Sequence, residues 1–355
     1  MNRTMNTPSS ALMLALGLVA AASPLAVAEP ATRPAVVNGW DRAMLAYDRP
    51  ARLAVSPATP SAAQVDWRVR PPQLSASESV VPTGVAARPA EGAAAAKPIA
   101  PVKSAEPTVV EGMNVVRLQF ADVDGDVVPV LLCTPAGKAG PFPVVVAVHG
   151  VTSHKAQMMA QVAPGLTKRG FAVLCPDLPR HGERPGDPRS LVDRSDLGQA
   201  FKLARRAVTD VRETIDLACQ RADLDTSGGV TLVGFSLGSW VNSIVGAADD
   251  RVRAMALLVG GALDIPPLML RLPQVAATDP RLALAHFAGR PLLLVNARQD
   301  QTVPPDWAER LFAAAPEPKE QVWYDCGHRL EPAAYERAAD WVARHRQVGP
   351  ERAGG

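Results

Sequence analysis

The chain has 355 residues, 47% of them hydrophobic, which is room for one large domain with appendages and enough apolar side chain for a sizeable core. Its 37 basic and 35 acidic side chains leave a formal charge of +2, too little for long-range attraction to nucleic acid or an anionic membrane, so polyanion binding is set aside. The 34 prolines exceed what an ordinary globular domain carries, and they are unevenly placed.

The opening "MNRTMNTPSSALMLALGLVAAASPLAVAEP" has Arg3, an apolar run from Ala11 to Ala22, and small residues at Ala26 and Ala28 before Glu29. This is the pattern of a signal peptide over residues 1–28, cleaved after Ala28. Ser23 and Pro24 cut the run below the ~20 residues a membrane span needs, so the expectation is an exported protein, periplasmic or secreted, without stable membrane insertion. Export would place Cys133, Cys175, Cys219 and Cys326 in an oxidising compartment, where their pairing stays open. Cys133 and Cys175 lie in strand-like apolar runs and read as buried thiols; no CxxC or metal-ligand spacing is present.

Residues 29–108 are rich in Pro, Ala, Ser and Val and lack a periodic apolar face, which predicts a largely disordered spacer. Within it, "WDRAMLAYDRPARLAV" could form a turn or two of helix and dock on the domain.

From residue 109 to 347 the pattern changes. "MNVVRLQF" and "VVPVLLCTP" are strand-like and flank "ADVDGD", whose Asp-Gly suits a hairpin. Further strand-like runs follow in "FPVVVAVHG", "FAVLCPDLP", "VTLVGFS", "VRAMALLVGG", "RPLLLVNARQD" and "EQVWYDCGH", with helical segments between most of them. The clearest helix is "LGQAFKLARRAVTDVRETIDLACQR", with Leu197, Phe201, Ala204, Val208, Val211 and Ile215 at helical spacing and charges opposite. Continuous apolar strands alternating with helices predict an α/β fold: a mostly parallel sheet covered on both faces, with a leading antiparallel hairpin. Residues 348–355 are expected to form a disordered tail.

"GGVTLVGFSLGSWVNSIV" carries Gly-x-Ser-x-Gly at a strand-to-helix junction. The motif alone is weak; its position is what gives it meaning. A tight turn there presents Ser236 at the top of the sheet, needs small residues at Gly234 and Gly238, and aims the Leu237 amide at a developing oxyanion. A serine needs a base, commonly an imidazole oriented by a carboxylate. His328 follows the last strand-like run and Asp300 the one before. Asp325 and Glu331 are nearer to His328 in sequence and are weaker rivals for the carboxylate role.

On these residues, the segment from about Asn114 to His345 resembles the α/β-hydrolase fold family, near its dienelactone-hydrolase-like and small-esterase branches. The resemblance covers about two-thirds of the chain, and Ser236, Asp300 and His328 stand in the family's order. It implies a catalytic triad of those three and an oxyanion hole from the backbone N–H groups of Leu237 and Val151, with Thr152 a second candidate in "HGVTSHKAQM". It also implies structural roles for His149, Asp177 and His181, with His154 exposed. Dienelactone hydrolases carry cysteine where this chain has Ser236, which points away from their substrate.

The reaction implied is hydrolysis of small to medium carboxylic esters through an acyl-enzyme, which calls for no metal and no organic cofactor. The thirty or so residues of "ALDIPPLMLRLPQVAATDPRLALAHFAG" suit a small cap at most, with Leu263, Ile265, Leu268, Met269 and Leu270 as apolar candidates. Alternatives are a peptidase or another acyl-transfer enzyme on the same fold, or a non-catalytic binding module. The spacer is too short for the β-propeller of prolyl-oligopeptidase-like enzymes.

Overall fold

The computed structural model describes residues 40–49, 53, 55–57, 108–193 and 195–346. The expected signal peptide, most of the spacer and the tail lie outside the described residues.

The first described stretch is a single 3-10 turn, Arg42–Leu45, capped by Asp41, whose carboxylate accepts from the Ala43 N–H at 2.8 Å. β1 (Val55–Pro57) then pairs antiparallel with β3 (Met113–Ala121), which β2 (Thr108–Val110) also joins. Part of the span expected to be spacer is therefore built into the domain. Leu45 is fully buried and Leu53 nearly so, which for each leucine is worth about 2 kcal/mol of transfer free energy.

β3 turns through Asp122–Asp126 into β4 (Val127–Pro135), with Met113 opposite Pro135 and Ala121 opposite Val127. Asp122 organises that turn by accepting from the N–H groups of Asp124 and Asp126, and Gly125 supplies the φ of +85°. The rest of the sheet is β5 (Phe142–Val148), β6 (Ala172–Pro176), the two-residue β7 (Leu224–Asp225), β8 (Val230–Phe235), β9 (Val252–Leu258), β10 (Leu292–Ala297) and β11 (Lys319–Tyr324). The order is β1-β3-β4-β6-β5-β8-β9-β10-β11, with β7 beside β5; β6 through β11 run parallel, and β4 joins β6 antiparallel. Every residue of β8 and β10 is buried, as central parallel strands covered on both faces require.

The helices are α1 (Lys155–Gln161), α2 (Ala163–Lys168), α3 (Leu197–Cys219), α4 (Leu237–Ala248), α5 (Pro273–Ala277), α6 (Pro280–Leu284), α7 (Pro305–Ala314) and α8 (Pro332–Arg344). Two apolar clusters fill the two faces of the sheet, one with α3 and α4, the other with α1, α2 and α8. The periodicity of α3 misleads at both ends. Leu197 is exposed, whereas Asp210, Glu213 and Asp216 are buried on a face that was expected to meet solvent. Arg184 pairs with Asp210, while Arg251 and Arg49 pair with Asp216 at 2.5 and 2.6 Å. These partners come from elsewhere in the chain, so helical spacing alone could not reveal them.

β5 and β8 are neighbours, yet the chain leaves β5 towards β6 and returns past it to β8. The strand order reverses there, and the carboxyl ends of the two strands open the crevice in which such sheets place their ligands.

Candidate active site

Ser236 joins β8 to α4 with φ +53° and ψ −112°, a conformation that costs a non-glycine residue of order 1–3 kcal/mol. The surrounding packing enforces it. The Ser236 N–H donates to the carbonyl of Leu258 at 2.9 Å, and the Ser239 hydroxyl donates to the carbonyls of Gly234 and Leu258. A Cβ at position 234 would stand 2.5 Å from the carbonyl oxygen of Gly238, and one at 238 would overlap the carbonyl of Val148. Both glycines are thus required by the close approach of α4 to the strands.

Asp300 follows β10 and His328 follows β11, and the two loops are laced together. Arg298 N–H donates to Tyr324 O at 2.9 Å, and Gln299 N–H to Cys326 O at 3.0 Å. One Asp300 oxygen accepts from the amides of Thr302 and Val303 at 2.8 and 2.9 Å; the other lies 2.8 Å from His328 Nδ1. With Nδ1–H donating to that carboxylate, His328 Nε2 is left as an acceptor, and the Ser236 hydroxyl is 3.0 Å away. The Asp300 side chain is buried while that of His328 is a quarter exposed, an arrangement that shields the carboxylate and leaves the imidazole reachable. The Phe235 ring meets His328 edge-on, with centroids 5.5 Å apart.

The rival carboxylates are elsewhere. Asp325 is 82% exposed and pairs with Arg298 Nε at 3.3 Å, and Glu331 is exposed at the start of α8.

Val151 is half-buried in the loop after β5. That loop reaches the serine: a Cβ at Gly150 would lie 3.4 Å from Ser236 Cβ. Thr152 beside it is exposed, with φ +58°. Leu237 is the first residue of α4, so its N–H belongs to the positive end of a twelve-residue helix. His149 anchors the loop: its Nε2 accepts from the Leu178 N–H at 3.1 Å, which leaves Nδ1 to donate to Gly150 O at 2.8 Å. Burial, only partly opposed by Asp177, pushes its pKa down to about 3, so it is neutral at ordinary pH.

Asp177 and His181 are not joined to Ser236. Asp177 accepts from both the backbone N–H and the ammonium of Lys155, at 2.8 and 2.5 Å, and from the Glu183 N–H. Burial raises its pKa, but Lys155 and His149 outweigh that and hold it below the usual range. His181 donates from Nδ1–H to Pro179 O at 2.7 Å, and its ring lies obliquely against that of His149. His154, expected to be exposed, is half-buried beside this group, and burial lowers its pKa. All four cysteines are free thiols, with Cys133 and Cys175 buried. Among the described residues no group of three or more His, Cys, Asp or Glu side chains could hold a metal ion, and no helix is long and apolar enough to cross a membrane.

Residues 145–292, which span the elbow and end at the first residue of β10, match the model of the alpha/beta hydrolase family. The chain has the α/β-hydrolase fold. It is similar to Esterase YjfP of Escherichia coli (strain K12), at 27% identity over 247 residues, covering 61% of this chain and 95% of that protein. Among solved structures it resembles a cold-adapted esterase from an Arctic intertidal metagenomic library, with TM-score 0.56 and 19% identity over 69% of this chain and 99% of that one. An acetyl xylan esterase from Paenibacillus sp. R4 gives TM-score 0.57 and 19% identity over 69% and 88% of the two chains. These two structures speak to the fold; the match to the family model and the likeness to Esterase YjfP support an esterase-like α/β hydrolase.

Several supports of the α/β-hydrolase site were missed in the sequence. The amides of Thr302 and Val303 that hold Asp300, and the Leu178 amide that fixes the His149 tautomer, are backbone groups, which no residue type announces. Ser239 could have been suspected, since a serine one turn into a helix often bonds back to the backbone.

Proposed function

We propose that this α/β hydrolase cleaves small to medium carboxylic esters with Ser236 as nucleophile, and that it does so outside the cytoplasm after loss of residues 1–28. The observation that carries the reading is the unbroken chain Asp300–His328–Ser236, with links of 2.8 and 3.0 Å, ending on a serine at a strained turn.

In the reaction, His328 Nε2 takes the Ser236 proton as Oγ attacks the ester carbonyl. Asp300 steadies the imidazolium, and the amides of Leu237 and Val151 receive the oxyanion. As the tetrahedral intermediate collapses, His328 returns the proton to the departing alcohol, leaving the acyl group on Ser236. Water then repeats the sequence and releases the acid. The cap between β9 and β10 holds only α5, α6 and a 3-10 turn at Met269–Arg271, and its Leu268 and Leu272 face solvent, which supports an accessible site for short acyl groups. The export reading is supported by the apolar run and small residues before Glu29.

Initial rates on nitrophenyl esters of increasing acyl length, with a Ser236→Ala variant alongside, test the reading. Turnover of short esters and at least about a thousandfold loss in the variant are expected. Equal rates in the two proteins would remove Ser236 from the mechanism.

A further inference from the structure

At the opposite end of the strands from Ser236 lies a cavity of about 470 Å³ with strongly basic walls. Gly229 and Arg251, which precede β8 and β9, put it at the amino ends of the strands, about 20 Å of strand from the serine. Arg42, Arg49, Arg212, Arg251 and Arg253 line it against only Asp249 and Asp250. Counting Asp216, buried beneath Arg49 and Arg251, two positive charges remain unbalanced. Arg253 is exposed and has no ion-pair partner among the described residues.

The walls are held in place before any ligand arrives. Arg251 bonds to Asp249 at 2.6 Å and to Asp216 at 2.5 Å, Arg212 reaches Asp249 at 3.3 Å and covers the Tyr47 ring, and the Tyr47 hydroxyl donates to Asp216 at 2.7 Å. Arg42 forks onto Asp250 at 3.0 and 3.2 Å. Burial, opposed by Asp250 and Asp249 and reinforced by Arg253 and Arg42, pulls nearby Arg290 below its usual range. Arg42, Tyr47 and Arg49 come from the segment that precedes the hydrolase sheet, so the cavity exists only because that segment is docked.

We infer that this cavity is a binding site for a phosphate monoester dianion, separate from the ester-cleaving centre. Guanidinium forks match phosphate oxygens in geometry, and an excess of two charges matches a dianion. A soluble phosphate ester and a phosphomonoester lipid headgroup present the same chemistry. The site would either sense a metabolite or hold the enzyme at a surface, leaving the carboxyl ends of the strands free for substrate.

The test is calorimetric titration of the full chain with inorganic phosphate, against chloride at matched ionic strength, and sedimentation with phosphatidylcholine vesicles with and without phosphatidic acid. Saturable phosphate binding with a Kd below about 1 mM, weakened at least about tenfold in an Arg42→Gln/Arg253→Gln variant, is expected and assigns a soluble ligand. Binding to phosphatidic acid vesicles alone, lost in the same variant, assigns a headgroup. Neither residue is part of the catalytic machinery, so nitrophenyl ester turnover and melting temperature of the variant stay near wild type. No saturable binding in either arm, or binding that the double substitution leaves unchanged, overturns the inference.

Discussion

The backbone N–H of Gln299 donates to the carbonyl of Cys326 at 3.0 Å, tying the residue before Asp300 to the residue two before His328. Acid and base are thus set against each other by the main chain, before either side chain contributes. Substituting Asp300→Asn keeps this frame and the amide donors at Thr302 and Val303, but the amide cannot hold the Nδ1–H tautomer as the carboxylate does. Ester turnover is expected to fall by about 10³–10⁴ with the melting temperature shifted by only a few degrees.

Asp177 gives the opposite signature. It holds the Lys155 ammonium, which is 6% exposed, and does not touch the Ser236 chain. Asp177→Asn leaves the buried ammonium with Glu183, 2.8 Å away, as its one charged partner among the described residues, a loss of about 2 kcal/mol, or roughly 5 °C in melting temperature for a domain of this size. Turnover per folded molecule should stay within about threefold. A large loss of turnover without loss of stability would give Asp177 a direct part in the chemistry.

The pH dependence of stability should show two opposing limbs. His149 has its folded pKa lowered by burial to about 3 from an ordinary 6.5, so the unfolded chain binds the extra proton between those values and stability falls as pH drops through that window. From pH 6.5 to 5 the cost is about 2 kcal/mol, with His181 and His154, also lowered by burial, acting in the same sense. Urea unfolding at pH 5 and 7.5 measures it. Glu213 works the other way: burial and the neighbouring Asp210 raise it to about 8, so its folded form holds a proton that the unfolded form has lost, and stability declines as pH rises from about 4.5 to 8. Glu213→Gln is expected to gain on wild type across that range.

Removing residues 1–57 should destabilise the domain. The cut takes away Leu45 and Leu53, the β1 strand paired with β3, and Tyr47 and Arg49, which are bonded to the buried Asp216. It also frees the cap, since Trp40 donates from Nε1 to Ala277 O at 3.2 Å and packs on His286. A drop of at least about 5 °C in melting temperature is expected by calorimetry, and an unchanged value would mean that the docked segment contributes nothing to the fold.

The alternation of apolar strands with helices, the Asp124-Gly125 turn and the small residues around Ser236 were all readable locally, because each follows from hydrogen-bonding geometry or sterics within a few residues. The sequence by itself therefore determined the parallel sheet, the hairpin before it and the serine turn, and it ordered Ser236, Asp300 and His328 along the chain. Distance was another matter. That Asp300 and not Asp325 faces His328 depends on how the β10 and β11 loops are laced; Asp325 is closer in sequence, yet its side chain points to solvent and pairs with Arg298. The docking of residues 40–49, 53 and 55–57, the burial of Asp210, Glu213 and Asp216 on α3 and the basic cavity that the docked segment completes rest on contacts between residues up to 237 positions apart. A local pattern carries no record of such partners; only the closed sheet, by bringing distant side chains together out of water, decides which charges are paired and which face a ligand.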